Sequence, residues 1–458
     1  MSQFKPGNSS QALATKRPIT RPKPASSSPA DPVIEATEAQ PAADETSTGV
    51  EKAALVFTLL FVFFRFSFLH ELIGARLGVD THLVLILGGL AVITALITGG
   101  LIRSMSHPIL LVWAAFSGCM VFASVFSSWR GGSFAILFPF LRTTLILVLL
   151  IPAVTTSKKS LVQVMQTIGV AGLALILMGL PANDFRTGRL ELTGAGDSVS
   201  NSNDYAANLI LLMPAIAYLC MRQGTKLFMK LIGCASLGVC CFLVLSTGSR
   251  GALICIGLSM IYLLKVGSGK VRIAILVGLP AAALIAIPFL PGEAAARLTS
   301  LFSDKSNTSE AMESQAQRTA LLMESIKFTF QHPLLGVGPG TFADYQAMDA
   351  AANGERGMWH ETHNSYTQVS SECGIPAILF YFCALGMTFG VFRRGRKSAD
   401  PDIRAASSVL SLMLVSYMIC MFFLAQGYGF GFPVMGGIAI SIDRLLKRER
   451  PFAQMSGS

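Results

Sequence analysis

The sequence predicts an all-α fold: a polytopic membrane helix bundle of about twelve transmembrane helices with one long, partly helical outer loop. Three observations carry that reading. Of 458 residues, 52% are hydrophobic and 14% charged, with a mean hydropathy of +0.57, whereas soluble domains carry roughly 25% charged residues. The apolar residues fall in continuous runs of bilayer-crossing length, ~17–25 residues. Such runs satisfy their own backbone hydrogen bonds as helices rather than as alternating barrel strands. Basic residues recur in every second connection, as the positive-inside rule requires.

Residues 1–49 are rich in Pro, Ser, Ala and Thr and read as a disordered cytoplasmic tail, because they hold too little apolar surface to fold. The first apolar run starts near Ala53, too late for a signal peptide. Spans are expected at 53–73, 82–102, 109–127, 133–153, 161–180, 205–222, 227–246, 250–266, 271–290, 373–392, 405–425 and 428–443. The first nine therefore occupy 50–290, with an outer loop at 181–204. A long outer loop covers 291–365, the last three spans lie in 366–446, and 447–458 is a cytoplasmic tail.

Charge orients this arrangement. With the N-terminus inside, the inner segments hold Arg103, Lys158 and Lys159, Arg222, Lys226 and Lys230, Lys265, Lys270 and Arg272, and Arg393 to Arg404. The short outer loops carry single basic residues such as Arg76 and Arg130, and Arg186 and Arg189 are the one pair. The net charge of +10 thus reports topology, and no nucleic-acid partner is implied. Nine cysteines lie almost wholly within apolar runs and none at C-x-x-C spacing, so neither a metal site nor a disulfide framework is indicated.

Two outer segments exceed ordinary connections. Residues 181–204 are rich in Gly, Ser and Asn and read as a loop. Residues 291–365 are long enough to be functional or disordered, and they contain a helical pattern. There Arg318, Leu322, Ile326 and Phe330 share one stripe at i, i+4 spacing, which places Arg318 on the apolar side, toward the protein or the headgroup layer.

Scarce polar chemistry gathers at HETHNSYTQVSSECGIPAILFYF, residues 360–382. Ser365 and Gln368 fit a capping box, so a helix is expected to start at Ser365. His363 then lies at that helix's N-terminus, whose positive end disfavours imidazolium. Glu372, nine residues after His363, would face away from it on an unbroken helix. Position and spacing leave two readings of His363 and Asn364: a helix cap at the interface, or a reactive pair. H-E-T-H lacks the H-E-x-x-H zinc spacing and no third ligand is evident. Arg186, Arg189, Arg250 and Arg318 all fall on the outer side, where guanidinium groups suit either interfacial ion pairing or a phosphorylated lipid. Arg65 and Arg142 sit mid-span, where a charge is costly unless it faces a cavity or a partner.

At these residues the chain resembles the bacterial O-antigen ligase and polymerase family of membrane glycosyltransferases, over roughly residues 85–440. Arg189-Leu-Glu-Leu-Thr-Gly194 followed by Asn201-Ser-Asn203-Asp-Tyr-Ala206 is similar to the family's arginine–glycine loop and the start of its next span. Ser249-Arg250-Gly251-Ala252 is similar to its SRGA turn. His332-Pro333-Leu-Leu-Gly336-Val-Gly338-Pro-Gly340-Thr341-Phe342, then His363-Asn364 and Glu372-Cys-Gly374-Ile375, resemble its long-loop signature. Ala377 stands where the ligase version usually has glycine, and the SNSN stretch lacks the proline often found before the family's asparagine.

The resemblance implies a ligase-like transfer of a glycan from undecaprenyl diphosphate to an acceptor hydroxyl, such as lipid A-core, at the periplasmic face of the inner membrane. Polymerisation of lipid-linked repeats is the alternative within the family, and a polytopic transporter or a non-catalytic scaffold is the alternative outside it. His363, Arg189 and Arg250 are the implied catalytic residues. Arg186, Arg318, Asn203, Asn364 and Glu372 are the implied diphosphate or glycan contacts. The implied partners are the lipid-linked donor, a lipid or glycan acceptor and membrane lipids, with no cofactor and no metal.

Overall fold

The computed structural model describes residues 48–180, 183–184, 189–194, 196–199, 201–222, 224–278, 281, 284–285, 287–299 and 309–455. The expected tail lies outside these residues except for its last two, and Arg186 lies outside them entirely.

The described chain is a bundle of helices: α1 (Gly49–Ser67), α2 (Leu69–Leu77), α3 (Leu83–Ile97), α4 (Pro108–Val125), α5 (Arg130–Pro139), α6 (Ile146–Val154), α7 (Lys158–Gly179), α8 (Ser202–Met221), α9 (Leu227–Ser246), α10 (Arg250–Val266), α11 (Ser309–Gln331), α12 (Phe342–Ala352), α13 (Ser365–Gly395), α14 (Pro401–Cys420) and α15 (Gly431–Met455), with shorter turns between them. The described residues within 181–204 add a two-stranded antiparallel ribbon pairing Asn183 with Leu192. The main core is an apolar cluster through the bundle, with Trp113, Phe116 and Tyr381 packed at centroid distances of 5.5–5.8 Å, and a smaller second cluster holds Leu321, Phe328, Val337 and Phe342.

Six described helices are long and apolar enough to cross a membrane, and a seventh if α1 and α2, bent by 70° at Phe68, count as one. Twelve spans are therefore not confirmed among the described residues. α3 has 15 residues, which at 1.5 Å per residue falls short of a ~30 Å hydrocarbon core. The region expected to cross at 271–290 is described only in short pieces, of which Ala274–Gly278 is π-helical. Between α5 and α6 the chain is also π-helical over Phe140–Leu145, following Pro139 inside the helix. A helical proline has no N–H to donate, which relaxes the ladder there. Arg142, expected at bilayer depth, sits on that stretch with its side chain exposed. Arg65 is half-buried at the α1–α2 bend, 3.8 Å from Glu71 and 4.6 Å above the Phe430 ring.

Ion pairs collect one end of the bundle. Lys158 pairs with Asp400, Arg222 with Asp402, and Arg394, Lys447 and His107 all with Asp443. Several basic residues of the expected inner loops thus share one end and are matched there by acids. The candidate site residues meet at other connections.

Candidate functional site

The long loop returns to the bundle through His332–Thr341, which docks on the first turns of α13. Val337 N donates to the Ser371 carbonyl at 2.9 Å, Gly338 N to the Glu372 carbonyl at 2.9 Å, and Ile375 N to the Pro333 carbonyl at 2.7 Å. Such close backbone approach needs residues without side chains. Gly374 adopts φ 83, ψ 174 inside α13, a region essentially restricted to glycine, and a Cβ there would lie 2.4 Å from the Leu334 oxygen. The helix breaks at that point, between its polar first turns and its apolar span.

Glu372 holds the junction together. It is 2% exposed, yet its carboxylate accepts from Gly340 N at 2.8 Å, Tyr428 OH at 2.7 Å and Phe342 N at 3.2 Å. A buried carboxylate is tolerated when its lone pairs are met by donors in this way. Both oxygens are therefore engaged in joining the long loop, α13 and the α14–α15 connection.

At the entrance to α13 the cap differs from the expected one. Asn364 is the N-cap, its Oδ1 accepting from Tyr366 N at 3.0 Å and Thr367 N at 3.2 Å. Ser365 instead donates to the Leu424 carbonyl at 2.7 Å and accepts from Gln426 N at 2.9 Å, while Gln368 Oε1 accepts from Gly427 N at 2.9 Å. The S-x-x-Q pair thus fastens the α14–α15 connection, because asparagine one position earlier is the better-placed cap. His363 precedes it with φ 52, a left-handed conformation that is uncommon for a side-chain-bearing residue.

The His363 imidazole is half-buried, and its pKa is lowered to about 4 by burial, then by the charges of Arg318 and His360. Arg318 is exposed on α11, within electrostatic reach of the ring. The stripe expected to carry Arg318 inward faces outward at its far end, since Ile326 and Phe330 are exposed and Leu321, Ser325 and Phe328 form the buried face.

The other two arginine motifs meet one another. Arg189 Nε donates to the Thr247 carbonyl at 2.9 Å, its Nη2 donates to Asn203 Oδ1 at 3.2 Å, and Leu190 N donates to the Ser246 carbonyl at 3.0 Å. Asn203 is fixed because Asn201 caps α8, accepting from Asn203 N and Asp204 N at 2.9 and 3.1 Å. Arg250 opens α10 behind the cap Ser249, whose Oγ accepts from Ala252 N at 3.3 Å.

A chain of contacts carries this turn to the long-loop cluster. A Cβ on Gly251 would stand 3.0 Å from the Phe423 ring, and the next residue, Leu424, is held through its carbonyl by Ser365, two positions after His363. Residues 235–382 match the family model described as O-Antigen ligase. The match supports the O-antigen ligase/polymerase family. Within this family's matched stretch lie Arg250, Arg318, His363, Asn364 and Glu372, whereas Arg186, Arg189 and Asn203 precede it. No curated protein matches the chain.

Sequence reasoning missed the α14–α15 connection, A-Q-G-Y-G-F-G-F at 425–432. Its alternating glycine and aromatic residues signal a turn, but its apolar flanks merged it with the neighbouring spans. Gln426, Gly427 and Tyr428 there hold Ser365, Gln368 and Glu372.

Proposed function

We propose that this protein transfers a glycan from undecaprenyl diphosphate to an acceptor hydroxyl, such as one on lipid A-core, at the periplasmic face of the bacterial inner membrane, with arginines in place of a metal ion. The observation that carries the reading is the seating of Arg189 on the Thr247 carbonyl, three residues before Arg250 and linked through Phe423, Leu424 and Ser365 to His363.

In this reading the acceptor oxygen attacks the anomeric carbon and forms the new glycosidic bond. The bond from that carbon to the diphosphate oxygen breaks, and the electron pair leaves with the lipid diphosphate. Arg189, Arg250 and Arg318 offset the charge that develops on the leaving group, with Arg186 and Asn203 as further contacts on the first outer loop. His363 takes the acceptor proton, and Asn364 fixes the backbone beside it. One direct displacement inverts the anomeric configuration.

The low pKa of His363 fits this sequence of events. Arg318 helps to depress it, and a bound diphosphate would neutralise that cation. The imidazole would then become a stronger base only when a donor is present, which limits wasteful proton removal.

The test is release of undecaprenyl diphosphate from a lipid-linked oligosaccharide by the purified protein, with and without lipid A-core. Acceptor-dependent release giving one glycan added per acceptor supports the ligase reading. Growth of the lipid-linked chain itself would assign the polymerase activity instead. A product with retained configuration would exclude the single displacement.

A further inference from the structure

We propose that the C-terminal end of α11 and the turn after it form a membrane anchor, with Phe330 and Leu334 inserted among lipid acyl chains beside the candidate site. The inference needs only that α13 crosses a membrane, and it stands apart from the transferase reading.

Depth is the first argument. The apolar run of α13 begins at Ile375 and continues to Phe392, a length suited to a ~30 Å hydrocarbon core. Ile375 N donates to the Pro333 carbonyl, so the turn bearing Leu334 is fastened where that run starts. One turn earlier on both elements, Thr329 Oγ1 lies 2.8 Å from Ser370 Oγ. The end of α11 therefore accompanies α13 down to the edge of the apolar layer.

Exposure is the second. Phe330 and Leu334 are 73% and 72% exposed, and Leu379 on α13, one helical turn beyond Ile375, is 62% exposed. Large apolar side chains this open, continuous with a spanning helix, mark a surface that water does not cover. The occupant is lipid because the turn that carries Leu334 is fastened at the first residue of the apolar spanning run.

Charge is the third. Two polar neighbours are held by protein partners, Lys327 Nζ bonding Asp349 at 2.7 Å and His332 Nε2 lying 2.8 Å from Tyr345 OH, while Lys327 and Gln331 keep exposed surface suited to the headgroup layer. A helix end that presents Phe and Leu beside exposed polar groups suits the interface between headgroups and acyl chains. Anchored there, α11 would hold Arg318 in register with His363 across the length of the helix.

The test places spin labels at Phe330→Cys, Leu334→Cys and the exposed control Glu355→Cys, with the exposed Cys234 and Cys383 changed to Ser, in bilayer nanodiscs. Collision rates with oxygen and with a water-soluble nickel chelate are compared at each site. An oxygen-to-nickel ratio severalfold higher at 330 and 334 than at 355 is expected, and an equal or lower ratio would overturn the anchor. Should a labelled variant fail to fold, lipids carrying a photoreactive group in the acyl chain report on the unmodified protein. Adducts on the peptide containing 330–334 support insertion, and adducts confined to the spanning helices refute it.

Discussion

The Arg189 guanidinium donates to the Thr247 carbonyl at 2.9 Å across a sequence separation of 58 residues. This hydrogen bond joins the connection before α8 to the S-T-G-S-R-G turn, and a second from the same side chain reaches Asn203 at 3.2 Å. A guanidinium presents several donors in a fixed plane, so one side chain satisfies two protein acceptors at once.

Arg189→Lys should therefore fail although it keeps the charge. One ammonium on a flexible stem does not reproduce the two-acceptor geometry, and losing an oriented donor to a developing anion costs about 100-fold or more in turnover. Steady-state kinetics check this, with the thermal midpoint in detergent reporting whether the fold survives. Wild-type turnover in Arg189→Lys would remove this residue from the account.

The pH dependence follows from His363, whose pKa is lowered to about 4 by burial, Arg318 and His360. In the proposed reaction the neutral imidazole is the active form, so kcat/KM should stay level through pH 6.5 and fall only as pH approaches 4. In the donor complex the inflection in kcat should lie higher, because the diphosphate offsets Arg318. Arg318→Gln should raise the free-enzyme inflection toward 6.5. The linkage sign is that of a depressed histidine. The unfolded chain binds more protons between about 6.5 and 4, so this group destabilises the fold progressively as pH falls through that window and has no such effect above it.

Glu372→Gln should destabilise strongly. The amide would bring a donor against Gly340 N, Tyr428 OH or Phe342 N, all of which already donate to this position. Each buried donor left without its acceptor costs about 1–3 kcal/mol. A lowered thermal midpoint and easier proteolysis of the long loop are the expected readouts, before any effect on substrate affinity.

Gly374→Ala should detach the long loop from α13. The residue is held at φ 83 and its Cβ would collide with the Leu334 backbone oxygen at 2.4 Å. Strain in such a region costs about 1–3 kcal/mol before the steric clash is counted. Gly386→Ala, in the same helix with nothing within 4 Å of its Cβ, is the control that should leave the thermal midpoint in place or raise it.

Much of this architecture was legible in the chain. Continuous apolar runs declared a helical membrane protein, and the start of α13 at Ser365 was expected from an S-x-x-Q pair, although Asn364 forms the cap. The number of spans was less legible. Hydropathy does not distinguish a straight helix from the α1–α2 pair, whose bend arises at Phe68 in a left-handed conformation. The Thr48–Glu51 capping box, with Glu51 N donating to Thr48 Oγ1 at 3.3 Å, was a readable signature that begins five residues before the first expected span. Other features depended on tertiary contacts. Ser365 and Gln368 looked like a local cap, and only the folded chain brings Gln426 and Gly427 to them. Glu372 lay near His363 in sequence, but its partners come from the long loop and from Tyr428, 56 residues on.

The central claim is that His363 and Arg189 act together on a lipid-linked donor. Its most direct test is acceptor-dependent release of undecaprenyl diphosphate by the wild type, His363→Ala and Arg189→Ala, each verified as folded. The account predicts release by the wild type and loss of at least about 100-fold in both variants. Release by His363→Ala at the wild-type rate, or donor binding without turnover by any form, would contradict it.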